Sequence, residues 1–298
     1  MKAVITGSSG FVGRELTTHL EAAGDEVVGL DRAAGADVTD AQAIRDLLLD
    51  LRPQAIYHLA AVSHIGGSWA AAAQVFRVNA EGTLNVLAAA RDAGVERVLV
   101  VGSADEYGAV SEADLPLSEE APLRPLSPYG ASKVAAEYLG LQSFLGDGVG
   151  VIRVRAFNHT GPGQADHFLI PALARRIAAA EREGRKEAAV GSLEPVRDFL
   201  DVADVVGAYR LLVERGAPGE VYNVCSGIGR SVGEIADILL AMARHAIELV
   251  PDPALMRPVE VPRLVGDNTR LRTATGWSPT IPFEDTLAAI LTRWRHEP

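Results

Sequence analysis

Tyr129 and Lys133 stand four residues apart in Ser127-Pro128-Tyr129-Gly130-Ala131-Ser132-Lys133, which runs on into VAAEYLGLQSFL. A serine ahead of a proline at the first helical position is a helix-start signal, so a helix is predicted over 128–145. On it the phenol and the ammonium share one face. A phenol titrates near pH ~10 when unperturbed, too high for easy proton exchange at neutrality. An ammonium beside it favours the phenolate and draws the pKa toward the range of a working general acid–base. A bare Y-x-x-x-K also occurs as an exposed pair on an ordinary helix. Lysine usage weighs against that reading, because three lysines (Lys2, Lys133, Lys186) stand against 25 arginines. Arginine is charged at any working pH and is a poor substitute for an ammonium that tunes a proton transfer.

The elements before this helix describe what such an acid–base would serve. KAVIT (2–6) reads as a strand, Gly7-Ser8-Ser9-Gly10-Phe11-Val12-Gly13 as a tight turn, and RELTTHLEAAG as a helix. Glycines at G-x-x-G-x-x-G let backbone approach a pyrophosphate, and the helix N-terminus offers free N–H groups. EVVGL, a second strand, ends at Asp31, 18 residues beyond Gly13. An acid there is placed to accept hydrogen bonds from an adenosine ribose, which favours NAD(H) over NADP(H). Arg32 beside it could hold a 2′-phosphate and make NADP(H) usable.

The alternation continues through a short third strand ending at Asp37-Val38, the helix AQAIRDLLLDL and the strand AIYHLAAVS (55–63). An alanine-rich helix from about Trp69 to Ala93, the strand ERVLVVGS (96–103), helix 128–145 and the strand 148–157 complete it. This is an α/β chain with a doubly wound parallel sheet, which binds ligands at the carboxyl ends of its strands. Those ends carry Gly7, Asp31, Ala60-Ala61, Ser103 and Asn158. Beyond 158 the texture is more interrupted. The expected organisation is a dinucleotide-binding domain over 1–160, with 196–226 returning to it, and a smaller C-terminal substrate-binding lobe from 161–195 and 227–298. Asp201 is the expected N-cap of a helix in VRDFLDVADVVGAYRLLVERG.

Composition narrows the classes. Of 298 residues, 48% are hydrophobic and 22% charged, an ordinary globular balance. A single cysteine, Cys225, excludes an internal disulfide framework and a cysteine-built zinc site. A net charge of −11 argues against coating nucleic-acid phosphates. No apolar run approaches the ~20 residues that span a bilayer, and a strand follows the first two residues at once, so no leader is expected. The expectation is a soluble cytoplasmic protein with no metal, nucleic-acid or membrane partner.

TGSSGFVG, DVTD, HLAA, Asn79-Ala80-Glu81-Gly82-Thr83, Ser103 before Tyr107-Gly108, and Tyr129/Lys133 together resemble the extended short-chain dehydrogenase/reductases that act on nucleotide sugars. The resemblance runs through nearly the whole length. Within that family RAFNHTGPGQ, GSLEPVRDF, VYNVCSGIG and RPVEVPRLVGDNTRLRTATGWSP look most like the GDP-6-deoxy-D-mannose reductases. The resemblance implies a Rossmann fold and reduction of a GDP-4-keto-6-deoxy-D-mannose to GDP-D-rhamnose. Ser103, Tyr129 and Lys133 would be catalytic, with Tyr129 protonating the sugar oxygen. Leu59, Ala60, Ala61, Asn79, Tyr129 and Lys133 would join Gly7, Gly10, Phe11, Val12, Gly13, Asp31, Arg32, Asp37 and Val38 around the cofactor, with Lys133 on the nicotinamide ribose. Ser63, Ser103, Asp105, Asn158, Arg197, Arg257 and Glu260 would face the substrate, with Asn158 and Arg197 on the diphosphate. His64 reads equally as a sugar contact and a satisfied loop histidine. A homodimer through a four-helix bundle is also implied.

Two other readings stand beside this one. GDP-mannose 4,6-dehydratases share FNHTGP but carry a glutamate where this chain has Asp105, one methylene shorter, and ~1 Å of misplacement can cost about 100-fold in rate. Glu106 is expected to point elsewhere. A nucleotide-sugar epimerase belongs to the same group of alternatives. A non-catalytic, dinucleotide-sensing protein would keep the fold, but such proteins often lose the Tyr/Lys pair.

Overall fold

The computed structural model describes residues 1–63, 68–256 and 261–297. Its first half runs β1 (Lys2–Thr6), α1 (Phe11–Ala22), β2 (Glu26–Leu30), α2 (Ala41–Leu51) and β3 (Ala55–His58). There follow α3 (Ala72–Phe76), α4 (Gly82–Asp92), β4 (Arg97–Val101), α5 (Pro128–Asp147) and β5 (Val151–Ala156). The second half holds β6 (Asn158–Thr160), α6 (Leu169–Glu183), β7 (Glu187–Val190), β8 (Val196–Asp201), α7 (Val202–Arg215) and β9 (Val221–Val224). It closes with β10 (Gly229–Ser231), α8 (Val232–Ala241), β11 (Glu248–Pro251), β12 (Arg263–Leu264), α9 (Thr269–Thr275) and α10 (Phe283–His296).

The main sheet has the order β2-β1-β3-β4-β5-β9, parallel throughout. Strands β3 and β5 are buried along their whole length, as β-branched and apolar runs must be when helices cover both faces. Alternation sends Val4 to one face and Ile5 to the other. Ile5 packs with Leu16 and Leu20 of α1, Leu212 of α7 and Leu271 of α9. Val4 packs with Ile44 and Leu48 of α2 and Val86 of α4. Each such fully buried aliphatic side chain contributes about 1.5–3 kcal/mol. The chain leaves β1 for β2 on one side and later returns to place β3 on the other. That reversal opens a crevice at the carboxyl ends of β1 and β3.

Over this crevice sits a smaller lobe. Strand β8 lies between β10 and β12 and also pairs with β6, while β7 and β11 form a separate parallel pair. Helices α6, α8 and α10 bury Ile177, Leu239 and Leu287 in its core.

Three expectations need correction. No strand forms at Asp37-Val38. Asp37 accepts hydrogen bonds from the Thr39 amide (2.9 Å) and hydroxyl (2.8 Å), and Asp40 caps α2 at Ala43 (3.0 Å). A turn and a cap use up the segment, and β2 is left as the sheet edge. The helix expected from Trp69 to Ala93 is regular only from Ala72, with a π-helical turn at Arg77–Glu81. Within 196–226, α7 packs on α1 and β9 joins the main sheet, but β8 belongs to the small sheet. Conversely α9, inside the stretch expected to lie in the small lobe, packs on α7 and β9.

Candidate active site

At the end of β1 the chain turns at Gly7, whose φ of +74° suits glycine. A side chain there would start 2.9 Å from the Ala60 nitrogen, so glycine lets the turn close on β3. A side chain on Gly13 would collide with the Gly7 carbonyl, so glycine also seats α1 against the turn. No described side chain caps α1 at Gly10. Its first N–H groups therefore remain for an anion.

Gly7, Gly10, Phe11, Val12 and Gly13 line one wall of a cleft of about 1970 Å³. Asp31, Arg32, Asp37, Val38, Leu59, Ala60 and Ala61 line it too, as do Ser63, Ser103, Asp105, Tyr129, Lys133, Asn158 and Arg197. Asp31 receives the Ser9 hydroxyl at 2.5 Å and the Ala33 amide at 3.0 Å. These bonds, Ser9 first, hold its carboxyl below the usual range, so it is an ionised acceptor. The glycine turn, the uncapped helix and this acceptor fit a dinucleotide.

Asn79 is placed differently from the expectation. It is 1% exposed and lies behind the cleft wall. Its oxygen accepts from the Val62 amide (2.8 Å), and its nitrogen donates to the Val62 carbonyl (3.2 Å) and Ser132 hydroxyl (2.9 Å). With its amide bonded this way, Asn79 braces the end of β3 against α5 and is not part of the cleft lining.

A second brace is His58, which the sequence reading missed. The Thr83 hydroxyl donates to the Asn79 carbonyl (2.6 Å), so it accepts from His58 Nε2–H at 3.0 Å. Nδ1 then accepts from the Thr6 hydroxyl at 2.8 Å, and that oxygen accepts from the Ala60 amide at 3.3 Å. This relay fixes a neutral ring. Burial and the Lys133 ammonium push its pKa down to about 3.

Helix α5 starts with Ser127 accepting from the Gly130 amide at 3.0 Å and Pro128 behind it. A side chain at Gly130 would start 2.6 Å from the Asp105 carbonyl. The bare glycine therefore lets the first turn of α5 rest against the Ser103 segment. Tyr129, 8% exposed, thus lies with Ser103 in the wall of the cleft, where the Ser103 hydroxyl acts to lower the phenol's pKa. That hydroxyl donates to the Asp105 carboxylate (3.2 Å) and accepts from the Asp105 amide (3.1 Å).

Lys133 does not draw the phenol down as expected. Its Nζ donates to the Val101 carbonyl at the end of β4 (2.7 Å). Burial, followed by the charge of Asp105, pushes the Tyr129 phenol above its ordinary value. Burial also lowers Lys133 to about 8. Desolvation dominates at both groups.

Toward the small lobe, Arg197 faces the cleft while its neighbour Asp198 is fully buried. Asp198 gathers the Ser226 amide (2.7 Å), Ser226 hydroxyl (2.6 Å) and Gly227 amide (2.9 Å), which fastens β8 to the loop after β9. His159, unforeseen from the sequence, stacks over Phe11 at 6.5 Å and donates Nδ1–H to the Phe157 carbonyl (2.9 Å). It lines the cleft with burial lowering its pKa. Arg257, Glu260 and His64 lie outside the described residues. Asp105 faces the cleft, whereas Glu106 is 0% exposed behind it.

A family model described as the NAD dependent epimerase/dehydratase family matches residues 3–225. The chain belongs to the NAD dependent epimerase/dehydratase family. It is 40% identical over 97% of its length to the GDP-6-deoxy-D-mannose reductase of Pseudomonas aeruginosa, of which 96% is covered. It is 31% identical over 93% of its length to the GDP-6-deoxy-D-talose 4-dehydrogenase of Aggregatibacter actinomycetemcomitans, with 92% of that protein covered. The solved structure of RMD from Pseudomonas aeruginosa complexed with NADPH superposes with a TM-score of 0.91 at 39% identity, covering 99% of this chain and 98% of that one. The epimerase/dehydratase match ends at Cys225, so α8, α9 and α10 lie beyond it.

Proposed function

We propose that the protein reduces the 4-keto group of GDP-4-keto-6-deoxy-D-mannose with NAD(P)H, giving GDP-D-rhamnose. The observation that carries this reading is that Ser103, Tyr129 and the buried Lys133 line one cleft together with the glycine turn. The full-length likeness to a GDP-6-deoxy-D-mannose reductase supports the substrate. The site supports reduction over dehydration, because the acid in the cleft is the short Asp105 and Glu106 is turned away.

A bound reduced nicotinamide supplies the hydride that goes to the carbonyl carbon. Tyr129 holds the proton that goes to the oxygen. A raised phenol pKa keeps Tyr129 protonated at rest, which is the state reduction requires. Ser103 Oγ–H, turned from the Asp105 carboxylate, would donate to the same oxygen where negative charge develops. As the proton leaves, the Lys133 ammonium meets the charge left on the phenolate. Gly7, Gly10, Phe11, Val12 and Gly13 would hold the pyrophosphate, and Leu59, Ala60, Ala61, Asp37 and Val38 would flank the adenosine half. Ser63 and Asp105 would face the sugar, with Asn158 and Arg197 on the diphosphate.

NADH is the favoured cofactor in this reading, because Asp31 is an ionised acceptor. Arg32, with Arg77 across the same cleft, allows NADPH to be used as well. The main sheet with its helices would bind the dinucleotide and the lobe built on β8 and α6 the GDP-sugar. A homodimer through α4 and α5 is supported by apolar side chains left exposed there: Leu84 on α4, and Tyr138 and Leu145, seven residues apart, on α5. A cytoplasmic location is supported by the single cysteine, buried at Cys225. No helix among the described residues is long and apolar enough to cross a membrane.

The test couples the purified protein to a GDP-mannose dehydratase and follows nicotinamide absorbance. NADH or NADPH loss that depends on both enzymes supports the reading, and NMR of the sugar separates rhamnose from 6-deoxytalose. Conversion of GDP-mannose by this protein alone, without net cofactor loss, would mean a dehydratase.

A further inference from the structure

Behind Ser103, away from the cleft, lies a buried cluster of two carboxyls and two guanidiniums. Arg155 of β5 grips Glu137 of α5 with two prongs, Nε to Oε2 at 2.7 Å and Nη2 to Oε1 at 2.8 Å. Its Nη1 donates to the Tyr107 hydroxyl (3.0 Å) and the Glu119 carbonyl (2.9 Å). Arg153 adds a bond to Glu137 at 3.3 Å. Glu137 is thus the carboxylate of the cluster: against the burial that raises it, Arg155 holds it below the usual range.

Glu106 is in a different position. Its Oε1 accepts the Ser103 amide N–H at 2.7 Å, closing a capping box over the turn that carries Ser103. Its carboxyl packs so closely on Gly102 that any side chain there would collide with it. Among the described residues, Oε2 is buried and meets no hydrogen-bond donor. The nearest guanidinium nitrogen, Arg155 Nε, is 3.7 Å away and already donates to Glu137. Glu106 Oε2 and Glu137 Oε2 thus sit around the same Arg155 Nε, at 3.7 and 2.7 Å, and the two buried carboxyls face one another. Two buried carboxyls can face one another only if one keeps its proton.

We propose that Glu106 is a positioning residue that acts as a neutral acid, one oxygen fixing the Ser103 amide and the other carrying a proton donated to Glu137. Ser103 is then braced without an added negative charge behind Tyr129 and Lys133. Burial, and next the Glu137 charge, push the Glu106 carboxyl well above its ordinary value. The charged or titratable groups facing it are Glu137, Lys133 and Tyr129 of α5 and Arg155 of β5, with Arg153 beyond Glu137 and Asp105 on its own turn. An ionised Glu106 would raise the pKa of both Tyr129 and Lys133. Such a shift would weaken Tyr129 as the acid for the carbonyl oxygen.

The inference rests on the reduction proposed above, and wild-type turnover in the same assay tests that reading separately. Glu106→Leu, similar in volume, should lose about 100-fold in kcat with substrate KM within about threefold, as when one donor to a developing oxyanion is misplaced. Glu106→Gln keeps both bonds, its carbonyl accepting from Ser103 and its amide donating to Glu137, and should hold kcat within about threefold. At neutral pH the infrared difference between wild type and Glu106→Gln should show the carbonyl stretch of a protonated carboxylic acid. That band needs no substrate. Wild-type kcat in the leucine variant, a glutamine variant as slow as the leucine one, or absence of the band would overturn the proposal. Should the leucine variant fail to fold, the glutamine kinetics and the band decide.

Discussion

Lys133 donates an Nζ–H to the Val101 carbonyl at 2.7 Å, which ties α5, the helix of Tyr129, to the end of the central strand β4. The ammonium is buried, and burial lowers its pKa from 10.5 to about 8. A lysine whose folded pKa is depressed binds protons more weakly in the folded than in the unfolded chain. Between pH 8 and 10.5 the unfolded state therefore holds more protons, and stability rises with pH in that window. Lys133→Met removes the buried charge. Thermal melts of the cofactor-free proteins should show the methionine variant more stable at pH 7, with the difference shrinking as pH approaches 10. A pH-independent difference would assign the effect to packing. The same variant should lose at least about 100-fold in kcat.

Tyr129→Phe removes the proposed proton donor and alters the side chain by one hydroxyl. Turnover should fall by about 10²–10⁴-fold, while NADH binding, followed by nicotinamide fluorescence, stays within about threefold. Full activity would remove Tyr129 from the mechanism.

In the proposed reading Asp31 sets the preference between the two nicotinamide cofactors. Replacing it by serine takes away the ionised acceptor at the end of β2 and leaves Arg32 beside the pocket. The ratio of kcat/KM for NADH over NADPH should drop by about tenfold or more, a hydrogen bond involving a charged group being worth roughly 1.5–3 kcal/mol. An unchanged ratio would show that the adenosine ribose is bound elsewhere.

The exposed apolar stripe on α5 supports pairing of two chains, with Tyr138 56% and Leu145 72% exposed. Wild type should scatter light as twice its 31.5 kDa mass. Tyr138→Glu with Leu145→Glu should scatter as one chain. A wild-type mass of one chain would refute the dimer.

The fold was legible because its signals are local and agree with each other. Gly7, Gly13 and Pro128 each mark a turn or helix start by chemistry that neighbours cannot override, and the apolar runs of β3 and β5 announce a sheet covered on both faces. Asp201 caps α7 at the Ala203 amide (2.7 Å), as its position suggested. What stayed hidden depends on contacts between residues far apart in sequence. Asn79 looks like a ligand contact until Val62 and Ser132 are seen to take up its amide. His58 looks like any strand residue until Thr6 and Thr83 are placed on either side of it. The direction of the Lys133 ammonium depends on Val101, 32 residues away, and desolvation has no sequence signature. The small lobe was least legible, since β8 follows the main domain in texture and pairs elsewhere.

Deuteride transfer separates reduction from every other conversion of the sugar. The protein is given enzymatically generated GDP-4-keto-6-deoxy-D-mannose and reduced nicotinamide dinucleotide with both C4 hydrogens replaced by deuterium, and the product sugar is read by NMR. The expected product is GDP-D-rhamnose with deuterium at sugar C4 in proportion to cofactor oxidised. A sugar product without that deuterium, or cofactor left unoxidised while the sugar is converted, would contradict the proposed reduction.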